Sequence, residues 1–366
     1  MDGAVSGLFT RVFGKRPDAR RRGGKKRINL ALQGGGAHGA FTWGVLDHLL
    51  EDGRLTIDGI SGASAGAVNA VILADGLARG GPEVARQRLA EFWRAASFDG
   101  TLPASQRAVM DKLMSFIPAV GSPVQAWMDA WSSFLSPYDL NPLNINPLKD
   151  LIERFVDFDA IRKCEDLRLY VSATNVHTGQ LRVFSRREIT ADAVMASAAL
   201  PHVFRAVEID GVPYWDGGYT ANPPIFPLLN GKYSPDVLVV QINPLMRRTT
   251  PTSSKDILHR INEITFNSSL ASEMRVIEFI SQLLDRGELT SPSGDYRPIH
   301  MHRIVLGDHK PLELGNRLNN DFDFFETLHR AGKRAARRFL DAHYNDIGVR
   351  GTIEHDGKGE TEANAA

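Results

Sequence analysis

Between Ile28 and Leu73 the chain reads INLALQGGGAHGAFTWGVLDHLLEDGRLTIDGISGASAGAVNAVIL. No other stretch limits the fold as much. Ile28–Gln33 is a short apolar run that ends in glycines, and Leu55–Ser61 is a second such run. Between them, Ala40–Glu51 is apolar nearly all round (Phe41, Trp43, Val45, Leu46, Leu49, Leu50), which predicts a helix buried against a sheet. Asp52-Gly53 stops that helix. Ala65–Leu77 predicts a small-residue helix that can pack closely. Strand–helix–strand order of this kind needs a crossover between parallel strands, so an α/β fold with a mainly parallel sheet is expected.

The rest of the chain fits that frame. Pro82–Ser97 predicts a further helix with Val84, Leu89, Phe92 and Trp93 on its apolar side. From Phe98 to Asp150 prolines recur among bulky apolar residues such as Met110, Trp127 and Trp131, which reads as an insertion of short helices and loops. A cover over an apolar pocket and ordinary core packing both suit its residues. Leu167–Asn175 and Leu181–Phe184 predict a hairpin through Thr178-Gly179, and Val207–Ile209 and Pro213–Trp215 another through Asp210-Gly211. Thr190–Ala199 predicts a short helix ended by Pro201. Val237–Ile242 reads as a buried parallel strand. Ser254–Leu284 reads as a long helix or a pair, His300–Val305 as a late strand and Asp321–His343 as a helix.

Charge is balanced over the 366 residues, with 43 basic and 43 acidic, so no global nucleic-acid footprint is expected. It is unevenly placed. Residues 1–27 hold Arg11, Lys15, Arg16, Arg20, Arg21, Arg22, Lys25, Lys26 and Arg27 against Asp2 and Asp18, and read as a basic, disordered arm. The stretch Val5–Phe13 ahead of the cluster is a candidate contact with an anionic membrane surface. No apolar run reaches the ~18 residues that span a bilayer, and no long apolar segment marks a secretory signal. Cys164 stands alone, so no intrachain disulfide forms and nothing marks an oxidising compartment. A cytoplasmic placement is expected. The domain expectation is the arm at 1–27, a catalytic domain at 28–245 containing the 98–150 insertion, a mainly helical extension at 246–344 packed on the same domain, and a disordered tail at 345–366.

Gly34-Gly35-Gly36-Ala37-His38-Gly39 lies between a strand and a helix. Glycines let backbone N–H groups approach a ligand, and the helix N-terminus adds unpaired donors and partial positive charge, so the loop suits an anion. The loop also satisfies G-x-G-x-x-G, a dinucleotide fingerprint. That reading wants a ribose-binding acid at the end of the second strand, where Ile60-Ser61-Gly62-Ala63-Ser64 offers none. Gly62-Ala63-Ser64-Ala65-Gly66 instead matches G-x-S-x-G between a strand and a helix, the turn that presents a serine hydroxyl on a strained elbow. Such a serine needs a base. None of the eleven histidines stands in a catalytic setting, and His300 and His302 lack the third ligand of a metal site. No metal, calcium or other cofactor is expected. Asp216 stands out, on a tight turn with Gly217 and Gly218 and followed by Asn222-Pro223-Pro224. An Asp beside the serine can take its proton directly, although Asp-Gly is also a common turn.

GGGAHG at 34–39, GASAG at 62–66 and DGG at 216–218, in this order, resemble the patatin-like phospholipase family, bacterial-type lipid acyl hydrolases. The approach Ala196-Ser197-Ala198-Ala199-Leu200-Pro201, with Phe204, Ile209-Asp210-Gly211 and Tyr214-Trp215, looks like that family's approach to its catalytic aspartate. The likeness covers roughly residues 28–245. It implies a three-layer α/β/α sandwich in which Ser64 is the nucleophile and Asp216 the base of a Ser–Asp dyad without a catalytic histidine. It also implies an oxyanion hole from backbone N–H groups of the 34–39 loop, with Gly35 and Gly36 foremost. The implied substrate is a lipid or phospholipid acyl ester. Acyl transfer through the same acyl-enzyme, and non-hydrolytic membrane binding on the same fold, are the alternative readings. His38 departs from the family, where many members carry Arg or Lys. Residues 246–366 show no catalytic signature.

Overall fold

The apolar runs become the heart of one sheet. The computed structural model describes residues 24–97, 136–141, 144, 146–230, 232–243, 247, 250–291, 297–307 and 322–353. In chain order the strands are β1 (Lys26–Leu32), β2 (Leu55–Gly62), β3 (Arg168–Asn175), β4 (Leu181–Ser185), β5 (Val207–Ile209), β6 (Val212–Asp216), β7 (Asp236–Gln241) and β8 (His300–Val305). The helices are α1 (Gly39–Asp52), α2 (Ala65–Gly80), α3 (Pro82–Ala95), α4 (Pro137–Leu140), α5 (Pro147–Phe155), α6 (Phe158–Lys163), α7 (Ala191–Ser197), α8 (Ser254–Asp285) and α9 (Phe322–His343).

β3, β2, β1, β7 and β8 are parallel neighbours in that order, while β4 and β6 pair antiparallel with β3, and β5 with β6. Both hairpins form where the Gly-containing turns predict them. Asp210 and Gly211 both take positive φ, at 51° and 75°, as a two-residue hairpin turn requires.

Side chains alternate across the sheet, and both faces are buried. Ile28, Leu30 and Leu32 of β1, with Leu238 and Val240 of β7, pack under α1, α2, α3 and α9. Ala31, Val237 and Val239 face the other way, against Ile225, Leu228 and the Leu270 and Ile277 stripe of α8. The result is the expected three-layer α/β/α sandwich around a mainly parallel sheet.

Two expectations meet the structure differently. Lys26 and Arg27, assigned to the arm, are the first residues of β1. The backbone N–H of Lys26 donates to Arg54 O (3.0 Å) and Arg27 pairs with Asp58 at 2.6 Å. Asn345–Ile353, assigned to a disordered tail, is held in place. Lys26 Nζ donates to the carbonyls of Tyr344 (2.7 Å) and Ile347 (2.7 Å), and Gly348 N–H donates to Asp236 Oδ1 at 2.8 Å. Of the two forms expected for the 254–284 segment, the structure takes the single long helix, Ser254–Asp285. Residues 1–23, the 98–135 part of the insertion and residues 354–366 lie outside the described residues, so the arm, the candidate cover and the end of the tail fall there.

Candidate active site

The site lies where β1 and β2 end. After Leu32, Gly36–His38 form a short 3-10 turn and Gly39 opens α1. After Gly62, the last residue of β2, the chain turns at Ser64 with φ 51° and ψ −125° and enters α2 at Ala65. A non-glycine residue in that region costs of order 1–3 kcal/mol. The strain is held by close packing, because a side chain at Gly66 would begin 2.1 Å from Leu32 O. The Ser64 N–H donates to Ser197 Oγ at 2.9 Å, which ties the elbow to the end of α7. A methyl at Gly34 would lie 2.6 Å from Ser64 Cβ, so the glycine loop and the elbow are in direct contact.

The sheet register delivers the base. A strand has two edges, and β4 occupies one edge of β3 from Tyr170 to Thr174. β2 runs along the other edge only as far as Val171, opposite Gly62. When β2 turns away into the elbow, β6 takes over that same edge, with Asp216 opposite Ala173. Asp216 therefore sits just beyond Ser64. Its N–H donates to Ala199 O (2.9 Å), its carbonyl accepts from Thr174 Oγ1 (2.8 Å) and its Oδ1 accepts from Gly218 N–H (2.7 Å). Gly217 and Gly218 form the 3-10 turn that supplies this donor.

Asp216 is fully buried and Ser64 is 6% exposed. Burial pushes the Asp216 carboxyl up to about 7, while the Gly218 N–H and the Ser64 hydroxyl pull it back. Asp216 Oδ2 meets no donor with full hydrogen-bond geometry among the described residues. Such a loose contact is common in a catalytic pair without substrate.

The structure brings together Ser64, Asp216, the 34–39 loop and the two flanking motifs. It also separates the loop's donors. Gly34 N–H is committed to Asn222 Oδ1 at 2.6 Å, and His38 N–H to Gly35 O at 3.3 Å. The N–H groups of Gly35 and Gly36 are engaged in no described hydrogen bond of the fold, and Gly36 is exposed. His38 is buried as the residue capping α1, with its ring 6.1 Å from that of Phe324.

Gln33, Asn243 and Asn267 had no role in the sequence reading, and Asn222 figured only in the stretch that follows the Asp216 turn. Gln33, Asn222, Asn243 and Asn267 are all buried and grip the loop together. Gln33 Oε1 accepts the N–H groups of Ile242 and Asn243 (2.8 Å each), and its Nε2 donates to Asn267 Oδ1 at 2.9 Å. Asn243 Nδ2 donates to Gly34 O at 2.7 Å. Asn267 lies on α8 in a segment that showed no catalytic signature. The available signal was a polar residue on an apolar stripe, between Phe266 and Leu270. His300 and His302 share Asp236 Oδ1 (3.3 and 3.0 Å) at the opposite end of the sheet. Among the described residues no cluster of His, Cys, Asp or Glu could hold a metal ion, and no helix is long and apolar enough to cross a membrane.

Comparison with known proteins gives the following. A family model described as patatin-like phospholipase matches residues 30–229, more than half of the chain. The uncharacterized protein R571 of Acanthamoeba polyphaga mimivirus is 27% identical over 209 residues, covering 54% of this chain and 60% of that protein. Among solved structures, VipD from Legionella pneumophila aligns with a TM-score of 0.34 at 17% identity, over 84% of this chain and 67% of VipD. ExoU from the type III secretion system of Pseudomonas aeruginosa, solved in complex with SpcU, aligns at 0.32 and 15% identity, over 87% of this chain and 53% of ExoU. The chain thus spans about 60% of the curated relative's length.

Proposed function

Because this chain belongs to the patatin-like phospholipase family, we propose that it is a serine lipid acyl hydrolase working through a Ser64–Asp216 dyad. The lipase or phospholipase class follows from the family, and the mechanism is our reading of the geometry. In it, Asp216 takes the proton of Ser64 as Oγ attacks the ester carbonyl carbon. The carbonyl oxygen becomes an oxyanion facing the N–H groups of Gly35 and Gly36. As the C–O bond breaks, the leaving alcohol or lysolipid takes the proton back from Asp216. Water then attacks the acyl-enzyme, giving its proton to Asp216, and the fatty acid leaves as Ser64 regains a proton.

The observation that carries this reading is the shared edge of β3, where β6 brings a buried carboxyl beside the elbow on which Ser64 is strained. A carboxyl pushed up to about 7 is a base matched to neutral pH. The test is labelling with a fluorophosphonate probe, followed by hydrolysis of a panel of acyl lipids. Wild type is expected to take the label, and Ser64→Ala to lose both label and turnover. Labelling of Ser64→Ala at the wild-type rate would overturn the assignment. A cytoplasmic site of action, with peripheral membrane contact through the basic arm that precedes β1, is part of the proposal. Cell fractionation of the full chain and of a 1–23 deletion tests it.

A further inference from the structure

A cavity of about 450 Å3 lies against the segment that supports the dyad. Met195 of α7 forms part of its wall, and two residues later Ser197 accepts the N–H of Ser64. Ala199, next along, accepts the N–H of Asp216, and the chain then returns to the cavity at Phe204 and Arg205. One short segment, 195–205, therefore lines the cavity and holds both members of the dyad.

Arg205 is the unusual group there. Its Nη2 donates to Tyr138 O at 2.9 Å, and its guanidinium lies over the Tyr138 ring, 4.9 Å from the centroid. Its Nε is buried and meets no acceptor among the described residues. A buried charged donor left without a partner is costly, and native structures supply one from protein, water or ligand. Asp139, beside Tyr138, is close enough for the Arg205 charge to help lower its carboxyl, but neither it nor the other charges of the cavity hydrogen-bonds Nε. Lys149 and Asp192 are closed on each other at 2.7 Å, and Glu208 is exposed. A guanidinium held in this way presents a planar fork that matches phosphate oxygens. Met195, Phe204 and Val207 give the same cavity apolar surface.

We propose that this cavity is an anion subsite in which Arg205 holds a phosphate carried by the alcohol part of the acyl ester. The inference rests on the acyl-hydrolase reading. It selects phosphate-bearing lipid esters over neutral glycerides and makes Arg205 a specificity-determining residue.

Two measurements test it. The first is the ratio of kcat/KM for a lysophospholipid to that for an uncharged monoacylglycerol of the same chain length. Loss of a hydrogen bond to a charged group predicts that Arg205→Ala lowers this ratio by about tenfold or more. Arg205→Lys should restore only part of it, because the charge remains without the fork. Glu208→Gln should raise it by removing a like charge from the site. The second is calorimetric binding of glycerol 3-phosphate and of inorganic phosphate to the intact Ser64→Ala protein. Glycerol 3-phosphate should bind, and binding should be lost when Arg205→Ala is added. Equal loss on both lipids would make Arg205 a structural partner of Tyr138 and overturn the subsite. Binding of inorganic phosphate alone, with no change in the lipid ratio, would overturn the headgroup assignment. A wild type that binds glycerol 3-phosphate through Arg205 yet cleaves no acyl ester removes the hydrolase reading and leaves the subsite standing.

Discussion

Asp216 meets two opposed demands. As the proposed base it must be ionised, and burial favours its neutral form. With the carboxyl pushed up to about 7, kcat/KM should rise with pH through that value, as a pH–rate profile on a soluble acyl ester will show. The sign for stability is the reverse. The folded protein holds this proton more tightly than an unfolded chain near 3.8, so the carboxyl favours folding at low pH, and that contribution is lost as pH rises towards 7. Asp216→Asn should therefore be inactive yet unfold at a higher temperature than wild type at pH 8, with the gap closing near pH 4. Ser64 carries a different cost. Its φ of 51° is unfavourable for any residue with a Cβ. Ser64→Gly should be more stable than Ser64→Ala by about 1 kcal/mol in thermal unfolding, both being inactive.

At the scale of elements, the glycine loop is positioned by parts of the chain that lie beyond the matched family region. Asn243 follows β7 and Asn267 sits on α8, and both reach Gly34 directly or through Gln33. If they aim the Gly35 and Gly36 donors, Asn267→Leu should lower kcat with little change in KM. Removing one oxyanion donor outright costs about 3 kcal/mol, so about tenfold is a fair expectation for a misaimed loop. Asn267→Asp keeps the acceptor for Gln33 Nε2 and should recover much of the rate, which loss of packing alone would not allow. Steady-state kinetics with matched melting temperatures separates these outcomes. Most of these elements were legible beforehand, because apolar runs of strand length and Gly-containing hairpin turns are local signals. The amide grip was not, because the apolar stripe around Asn267 says that this amide is buried but not which distant loop it holds.

Across the whole molecule, the end of the sheet opposite the site is closed by residues far apart in sequence. Asp236 starts β7 and gathers His300, His302 and the N–H of Gly348, while Lys26 caps the carbonyls that follow α9. Burial alone would raise the Asp236 carboxyl, but these hydrogen bonds hold it below the usual carboxylate range. Its contribution to stability is thus present above the ordinary carboxylate pKa and lost as pH falls below it. Asp47 behaves likewise among His329, Arg86 and Lys333. Asp236→Asn should lower the melting temperature at pH 7 and lie closer to wild type at pH 3, as calorimetry across pH will show. The boundary residues Lys26 and Arg27 and the segment 345–353 were misread for the same reason. A lysine in a basic run and a polar tail look solvated until a partner some 320 residues away is in place.

The α/β class, the two motif turns and the two residues proposed as the dyad were already legible in the sequence. Each is written in short-range pattern, as strand-length apolar runs, glycines where a Cβ cannot fit, and a serine between them. Only the tertiary structure decided that Asp216 reaches Ser64, because that depends on β6 occupying the edge of β3 that β2 vacates. It also decided which loop donors are left for an oxyanion, since Asn222 removes that of Gly34, and it set the affinity of Asp216 for its proton. Strand pairing, hydrogen-bond competition and desolvation are properties of neighbours in space, and none of them is carried by residue order alone.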